Sequence, residues 1–218
     1  MRPAIKICGV TTAGAMDTAA RAGATHVGFV FHKPSPRVIT PADAAAIAAR
    51  HPNIAAVALV VDASDAEIGA ILKIFRPSLL QLHGRETPAR IAAVRHITDL
   101  PVMKAMAMAG PADVEAARDV EPVADMLLFD AAPGILPGGN GLAFDWNLLK
   151  GRTWQKPWLL SGGLTPENVA TAIYQTKPGG VDVSSGVERA RGVKDESRIA
   201  AFITSAREAF SAIAGAQD

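Results

Sequence analysis

The chain has a single cysteine, few aromatic side chains and almost no net charge. Aromatics make up 5% of its residues, and 22 basic against 21 acidic groups leave a formal +1 at neutral pH. Each shortage excludes something. Cys8 cannot close an internal disulfide, which fits a reducing compartment, and a thiol redox couple would lack its resolving partner. With charge this balanced and no basic tract, neither a nucleic-acid partner nor an anionic membrane surface is expected, and the sparse aromatics offer no platform for stacking bases. The longest apolar run, Ile54 to Val61, falls far short of the roughly 20 residues that span a bilayer. The opening stretch MRPAIKICGV has no long apolar region of a signal peptide. A cytoplasmic protein is expected. Metal chemistry is equally thin: His26, His32, His51, His83 and His96 are scattered, with no HxxxH or CxxC spacing. GVTTAGAM lacks the Gly-Lys-Ser/Thr ending of a nucleotide loop and GGNG is no dinucleotide fingerprint, so no cofactor is called for.

What is present is a regular alternation. Apolar residues make up 49% and charged residues 20% of the 218, enough for a large core in one domain over residues 1–218. Strand-length apolar runs occur at 4–8, 25–31, 54–61, 78–82, 101–106, 126–130, 157–161 and 180–185. Several are apolar throughout, as parallel strands covered on both faces require. Helical spacing fills the gaps at 13–22, 41–50, 65–75, 88–95, 111–118, 145–149, 166–176 and 194–213. Thr40-Pro41, Thr87-Pro88 and Thr165-Pro166 read as N-cap threonines before a proline in the first turn, and Gly23 as a C-cap. The α/β pattern predicts a single (β/α)8 TIM barrel, with an open doubly wound sheet as the rival.

In such a barrel chemistry gathers where strands end. That rule selects Cys8, the loop 34–37 with Arg37, His83, Asp130, Ser161 to Gly163, and Asp182 to Gly186. Alternation puts Lys6 and Cys8 on one strand face, and Met126, Leu128 and Asp130 on another. Taken singly, most of these have plain readings. A lone cysteine on an apolar strand packs as readily as it reacts, Asp130 can cap a turn, His83 can sit satisfied in a core, and Arg37 can be a solvated surface group. Lys6 is equally a thiolate partner or a structural lysine paired with a carboxylate. SGGLTP is more telling: a strand runs into two glycines and a helix start, aiming N–H groups at the cavity, with Ser184, Ser185 and Gly186 alongside. A phosphate-bearing substrate follows. The long AAPGILPGGNG segment reads as a lid or binding loop.

KICGVTT, GATHVGFVFHKPSPR, LLQLHG, LLFDA followed by GGNGLAFDW, LSGGLTPENV, and GVDVSSGVE with GVKD occur in that order from first strand to last helix. Together they resemble the phosphoribosylanthranilate isomerase family of tryptophan biosynthesis, over nearly the whole chain. The resemblance implies a cofactor-free Amadori rearrangement, an aldose–ketose isomerisation of N-(5-phosphoribosyl)anthranilate to 1-(2-carboxyphenylamino)-1-deoxyribulose 5-phosphate. It implies Cys8 as general base and Asp130 as general acid. Arg37 would hold the anthranilate carboxylate, with His83 and Asp182 also in the substrate pocket. The phosphate would rest on Gly162, Gly163, Ser185 and Gly186. The family commonly reads GGTG where this chain has Gly138-Gly139-Asn140-Gly141. The implied partner is this small phosphorylated substrate, with the protein a monomer or homodimer.

Ordinary chemistry makes these roles demanding. At neutral pH a carboxyl of pKa about 3.9 costs about 4 kcal/mol to protonate, and a thiol of pKa about 8.5 costs about 2 kcal/mol to ionise. The reading therefore expects substrate binding to dry the site and favour a protonated Asp130, with local positive charge favouring the Cys8 thiolate. A phosphate-binding barrel that only senses its ligand needs neither base nor acid. An epimerase or synthase barrel would more naturally show paired carboxylates, histidine ligands or catalytic lysines at the strand ends.

Overall fold

Near-continuous apolar runs need cover on both faces, and here they receive it. The computed structural model describes residues 3–131 and 145–215. Its strands are β1 Ala4–Cys8, β2 His26–Val30, β3 Ala55–Val60, β4 Leu79–Leu82, β5 Val102–Met108, β6 Met126–Ala131, β7 Trp158–Leu160 and β8 Gly180–Val183. They pair in parallel in chain order, and β1 closes on β8 with Ile5 opposite Val181. The helices among the described residues are α1 Ala13–Ala22, α2 Pro41–Ala48, α3 Asp65–Leu72, α4 Pro88–Thr98, α5 Pro111–Val120, α6 Val169–Thr176 and α7 Glu196–Gly215. The fold is the β/α barrel that the alternation predicts, and the open sheet is excluded by its closure. None of the described helices is long and apolar enough to cross a membrane.

Local chemistry starts these helices where the sequence places them. Thr40 accepts from the Asp43 amide at 3.1 Å and Thr87 from the Arg90 amide at 3.3 Å, each with proline next in line. Ser64 and Glu67 satisfy each other's backbone amides at the head of α3. Gly23 ends α1 in the left-handed region at φ 101°, which a side chain would resist.

Several details depart from expectation. The sixth predicted helix, 145–149, is one 3₁₀ turn, Trp146–Leu148, capped by Asp145; so short a stretch cannot recover the cost of nucleating an α-helix. Thr165 does not cap α6. Its amide donates to Asn168 Oδ1 at 2.8 Å and its hydroxyl accepts from the Glu167 amide, so this turn delays the helix until Val169. β8 stops at Val183, and Ser185–Val187 form a 3₁₀ turn. A hairpin absent from the sequence reading follows, β9 Glu188–Ala190 antiparallel to β10 Val193–Lys194. The glycine-rich segment, 132–144, lies outside the described residues.

Strand alternation divides the interior. Ile5, Ile7, Val27, Phe29, Leu80 and Phe129 point out beneath the helices and belong to the main core. Val57, Leu79, Met103, Ala105, Leu128 and Leu159 fill the barrel as an apolar plug. Toward the strand ends the interior turns polar: Lys6, Gln81, Ser161 and Asp182 are all buried there. Buried charge is costly unless paired and hydrogen-bonded, so the partners of these groups define the site.

Candidate active site

Two walls face one cavity. On the β1 and β8 side, Lys6 Nζ lies 2.9 Å from Asp182 Oδ1, with both side chains buried. Ser161 donates to the other Asp182 oxygen at 3.3 Å. Cys8 is the ammonium's other electrostatic neighbour. Burial works against that ammonium, but Asp182 and Cys8 outweigh it, and the Lys6 pKa is pushed up to about 12. Gly28, opposite Cys8 in the β1–β2 register, makes the space: a Cβ there would stand 2.9 Å from the sulfur and 3.2 Å from Lys6 Nζ.

Burial pushes the Cys8 thiol up, Lys6 and Lys194 pull it down, and Asp182 adds to the rise; the net result is a raised pKa. This corrects the expectation that positive charge wins at the thiol. The cations are in place, but desolvation is the larger effect.

The opposite wall carries fewer charges. Asp130, next to last in β6, faces the cavity; its Oδ1 accepts from the Ala131 amide at 2.8 Å. His83 Nε2 stands 3.3 Å from Asp130 Oδ2, and the two side chains are 33% and 27% exposed. Gln81 Nε2 lies 2.8 Å from His83 Nδ1. With Gln81 donating to Nδ1, the ring keeps its own proton on Nε2, facing the carboxylate. Gln81 Oε1 is buried with no partner among the described residues.

Between the walls lies a polar rim built from the turns after β7 and β8. Gly162 holds φ +81°, and a Cβ there would collide with the Ala131 amide and stand 3.0 Å from Asp130 Oδ1, so only glycine lets this turn sit beside Asp130. The Gly162 and Gly163 amides have no hydrogen-bond partner among the described residues. Ser184, Ser185 and Gly186 stand alongside them. Unpartnered backbone N–H groups in adjacent turns are suited to an anion.

The cavity has a volume of about 280 Å³ and is lined by Cys8, Arg37, His83, Asp130, Gly162, Gly163, Asp182, Ser185 and Gly186, among others. Every site residue singled out from the sequence therefore borders one space. Besides His83 and Asp130, two have partners the sequence did not disclose. Asp182 is taken up by Lys6 and Ser161. Arg37 is gripped by Glu188, Nε to Oε1 at 2.6 Å and Nη2 to Oε2 at 2.9 Å. The sequence reading missed Glu188 and Lys194, whose Nζ reaches Glu188 Oε1 at 2.9 Å and the Ser184 carbonyl at 2.8 Å. The available signal was GVE…GVKD itself, a charged pair flanking the turn-forming Gly192 directly after a barrel strand. Ser184 completes the link by donating to the Cys8 carbonyl at 3.2 Å.

Residues 5–205 match the family model described as N-(5'-phosphoribosyl)anthranilate (PRA) isomerase. The N-(5'-phosphoribosyl)anthranilate isomerase of Paracoccus denitrificans is 55% identical over 210 residues, covering 94% of this chain and 98% of that one. The crystal structure of phosphoribosyl anthranilate isomerase from Thermotoga maritima superposes with a TM-score of 0.85 at 35% identity, over 94% of this chain and 99% of that one. Another phosphoribosyl anthranilate isomerase, solved in complex with reduced 1-(o-carboxyphenylamino)-1-deoxyribulose 5-phosphate, gives a TM-score of 0.78 at 31% identity, with the same coverage of both chains.

Proposed function

The chain belongs to the phosphoribosylanthranilate isomerase family, and on that premise we propose that Cys8 and Asp130 are the base and acid of its reaction. The protein is an isomerase of tryptophan biosynthesis, converting N-(5-phosphoribosyl)anthranilate to 1-(2-carboxyphenylamino)-1-deoxyribulose 5-phosphate. Asp130 protonates the furanose oxygen as the ring opens to a protonated Schiff base. Cys8, as thiolate, takes the proton from C2′, and the enolamine that results becomes the ketose. Arg37 receives the anthranilate carboxylate. The phosphate rests on Gly162, Gly163, Ser185 and Gly186. His83 and Asp182 serve the pocket through their partners, the first against Asp130 and the second by anchoring Lys6. The observation that carries this reading is that Cys8 and Asp130 open from β1 and β6 on one cavity whose rim also holds Arg37 and two glycine amides with no partner among the described residues.

The pair must begin with its proton on Asp130 and none on Cys8. Ordinary carboxyl and thiol affinities place it the other way round, and burial of the thiol reinforces that order. The productive form is thus a minor tautomer of a one-proton pair. Substrate binding dries the cavity, and the cationic Schiff base then draws negative charge onto the neighbouring sulfur.

A cytoplasmic setting suits this mechanism, since a reducing compartment keeps the lone thiol free; the protein acts there as a monomer or homodimer, in one domain over residues 1–218. Fluorescence decay of freshly generated phosphoribosylanthranilate tests the roles. Cys8→Ala and Asp130→Asn are each expected to lower kcat by about 10²- to 10⁴-fold. Full activity in either variant overturns the assignment for that residue.

A further inference from the structure

The hairpin β9–β10 lies outside the barrel sheet, yet its charged residues hold Arg37 and Ser184, which line the cavity. Glu188, on β9, turns a side chain only 5% exposed onto Arg37 and takes the Nε and Nη2 edge of the guanidinium. The same carboxylate accepts from Lys194 Nζ at 2.9 Å and from the Gly192 amide at 3.0 Å. Burial pushes Glu188 up, but Arg37, the Gly192 amide and Lys194 outweigh it and hold its pKa at about 2, so it is a fixed anion at neutral pH. The arginine is confined along its length as well. Its stem crosses Gly9, where a Cβ would meet Arg37 Cδ at 2.5 Å, and a Cβ on Gly192 would meet the Pro36 carbonyl at 2.7 Å.

Two consequences follow. A guanidinium is a planar fork, so fixing the Nε and Nη2 edge fixes the plane of the remaining Nη1 edge. Arg37 lines the cavity, so that plane is set for an incoming carboxylate. Charge balance is the second consequence. Arg37 and Glu188 alone would form a neutral pair with little pull on an anion. Lys194, buried beside them, supplies a second cation, so the cluster keeps one net positive charge.

We infer that Glu188 is a positioning residue for substrate specificity: with Lys194 balancing its charge, it holds Arg37 in the orientation that selects substrates bearing a carboxylate on the aromatic ring. The inference rests on the proposed role of Arg37, and the test separates the two. Two ligands are titrated calorimetrically into the enzyme: reduced 1-(o-carboxyphenylamino)-1-deoxyribulose 5-phosphate, and the same compound without its ring carboxylate. The ratio of their affinities measures recognition of the carboxylate alone. Arg37→Met is expected to bring that ratio close to one. Glu188→Gln is expected to lower it about tenfold or more, the range of a charge-assisted hydrogen bond, with the affinity of the carboxylate-free ligand unchanged. Glu188→Asp, which keeps the charge on a shorter arm, should fall between wild type and Glu188→Gln, and it decides the matter should Glu188→Gln fail to fold. If Arg37→Met removes the discrimination while the Glu188 variants keep it, or weaken both ligands equally, the positioning role is wrong and the role of Arg37 stands. If Arg37→Met keeps the discrimination, the role of Arg37 fails and the inference with it.

Discussion

The two walls of the cavity hold the same number of proposed proton-transfer groups and otherwise differ. The wall of Cys8 is dry and dense in charge: Lys6, Asp182, Ser161, Lys194, Glu188 and Arg37 form a connected set around one thiol. The wall of Asp130 holds one carboxylate and one imidazole, each more than a quarter exposed. A base acting once on a carbon-bound proton needs a water-free pocket and fixed cations, because its charged form has no solvent to rely on. An acid left ionised once it has protonated the ring oxygen is served by access to water until the pair's proton returns to it from Cys8. The division of burial between the walls follows that division of labour.

Removing Lys6 breaks the contrast most severely. Lys6→Met strands Asp182 inside the barrel and is expected to destabilise the protein by about 3–5 kcal/mol, as read from chemical denaturation. Gly28→Ala comes next: its Cβ would crowd the sulfur and the ammonium together, and displacing a reacting group by about 1 Å lowers kcat by about 10²-fold. Lys194→Met acts on the same wall more gently. It removes a cation that lowers the thiol's pKa, so the productive tautomer becomes scarcer by about tenfold for each unit that the pKa rises. The smallest stability effect belongs to the wet wall, where His83→Asn should cost under about 1 kcal/mol because its contact with Asp130 is part-exposed and screened. A loss from His83→Asn equal to that from Lys6→Met would erase the contrast.

Much of this site was legible in the sequence, and the remainder was hidden for identifiable reasons. Cys8, Asp130 and the glycines after β7 stand at strand ends, which follows from hydrophobic runs, two-residue alternation and the location of chemistry in a β/α barrel. The capping threonines at 40 and 87 hold because proline and N-cap chemistry are local. Partnerships are not local. Lys6 meets Asp182 across 176 positions and Arg37 meets Glu188 across 151, distances that no short-range pattern records. The hairpin carrying Glu188 and Lys194 has strands of three and two residues, too short to show alternation. The sign of the Cys8 shift was also out of reach, since it depends on weighing burial against two cations.

The central claim is that a buried thiol and a wetter carboxyl share a single proton. Because the chain has one cysteine, the thiolate absorbance of wild type minus that of Cys8→Ala reports this group alone. The sign follows from the proton count: as pH rises through the Cys8 ionisation, the pair loses its only proton and activity falls. Measured together, the rise in thiolate absorbance and the alkaline fall in kcat/KM should share one midpoint, above the ordinary thiol value of about 8.5. A thiolate that forms below neutrality, or activity that climbs as the thiolate appears, would contradict the account.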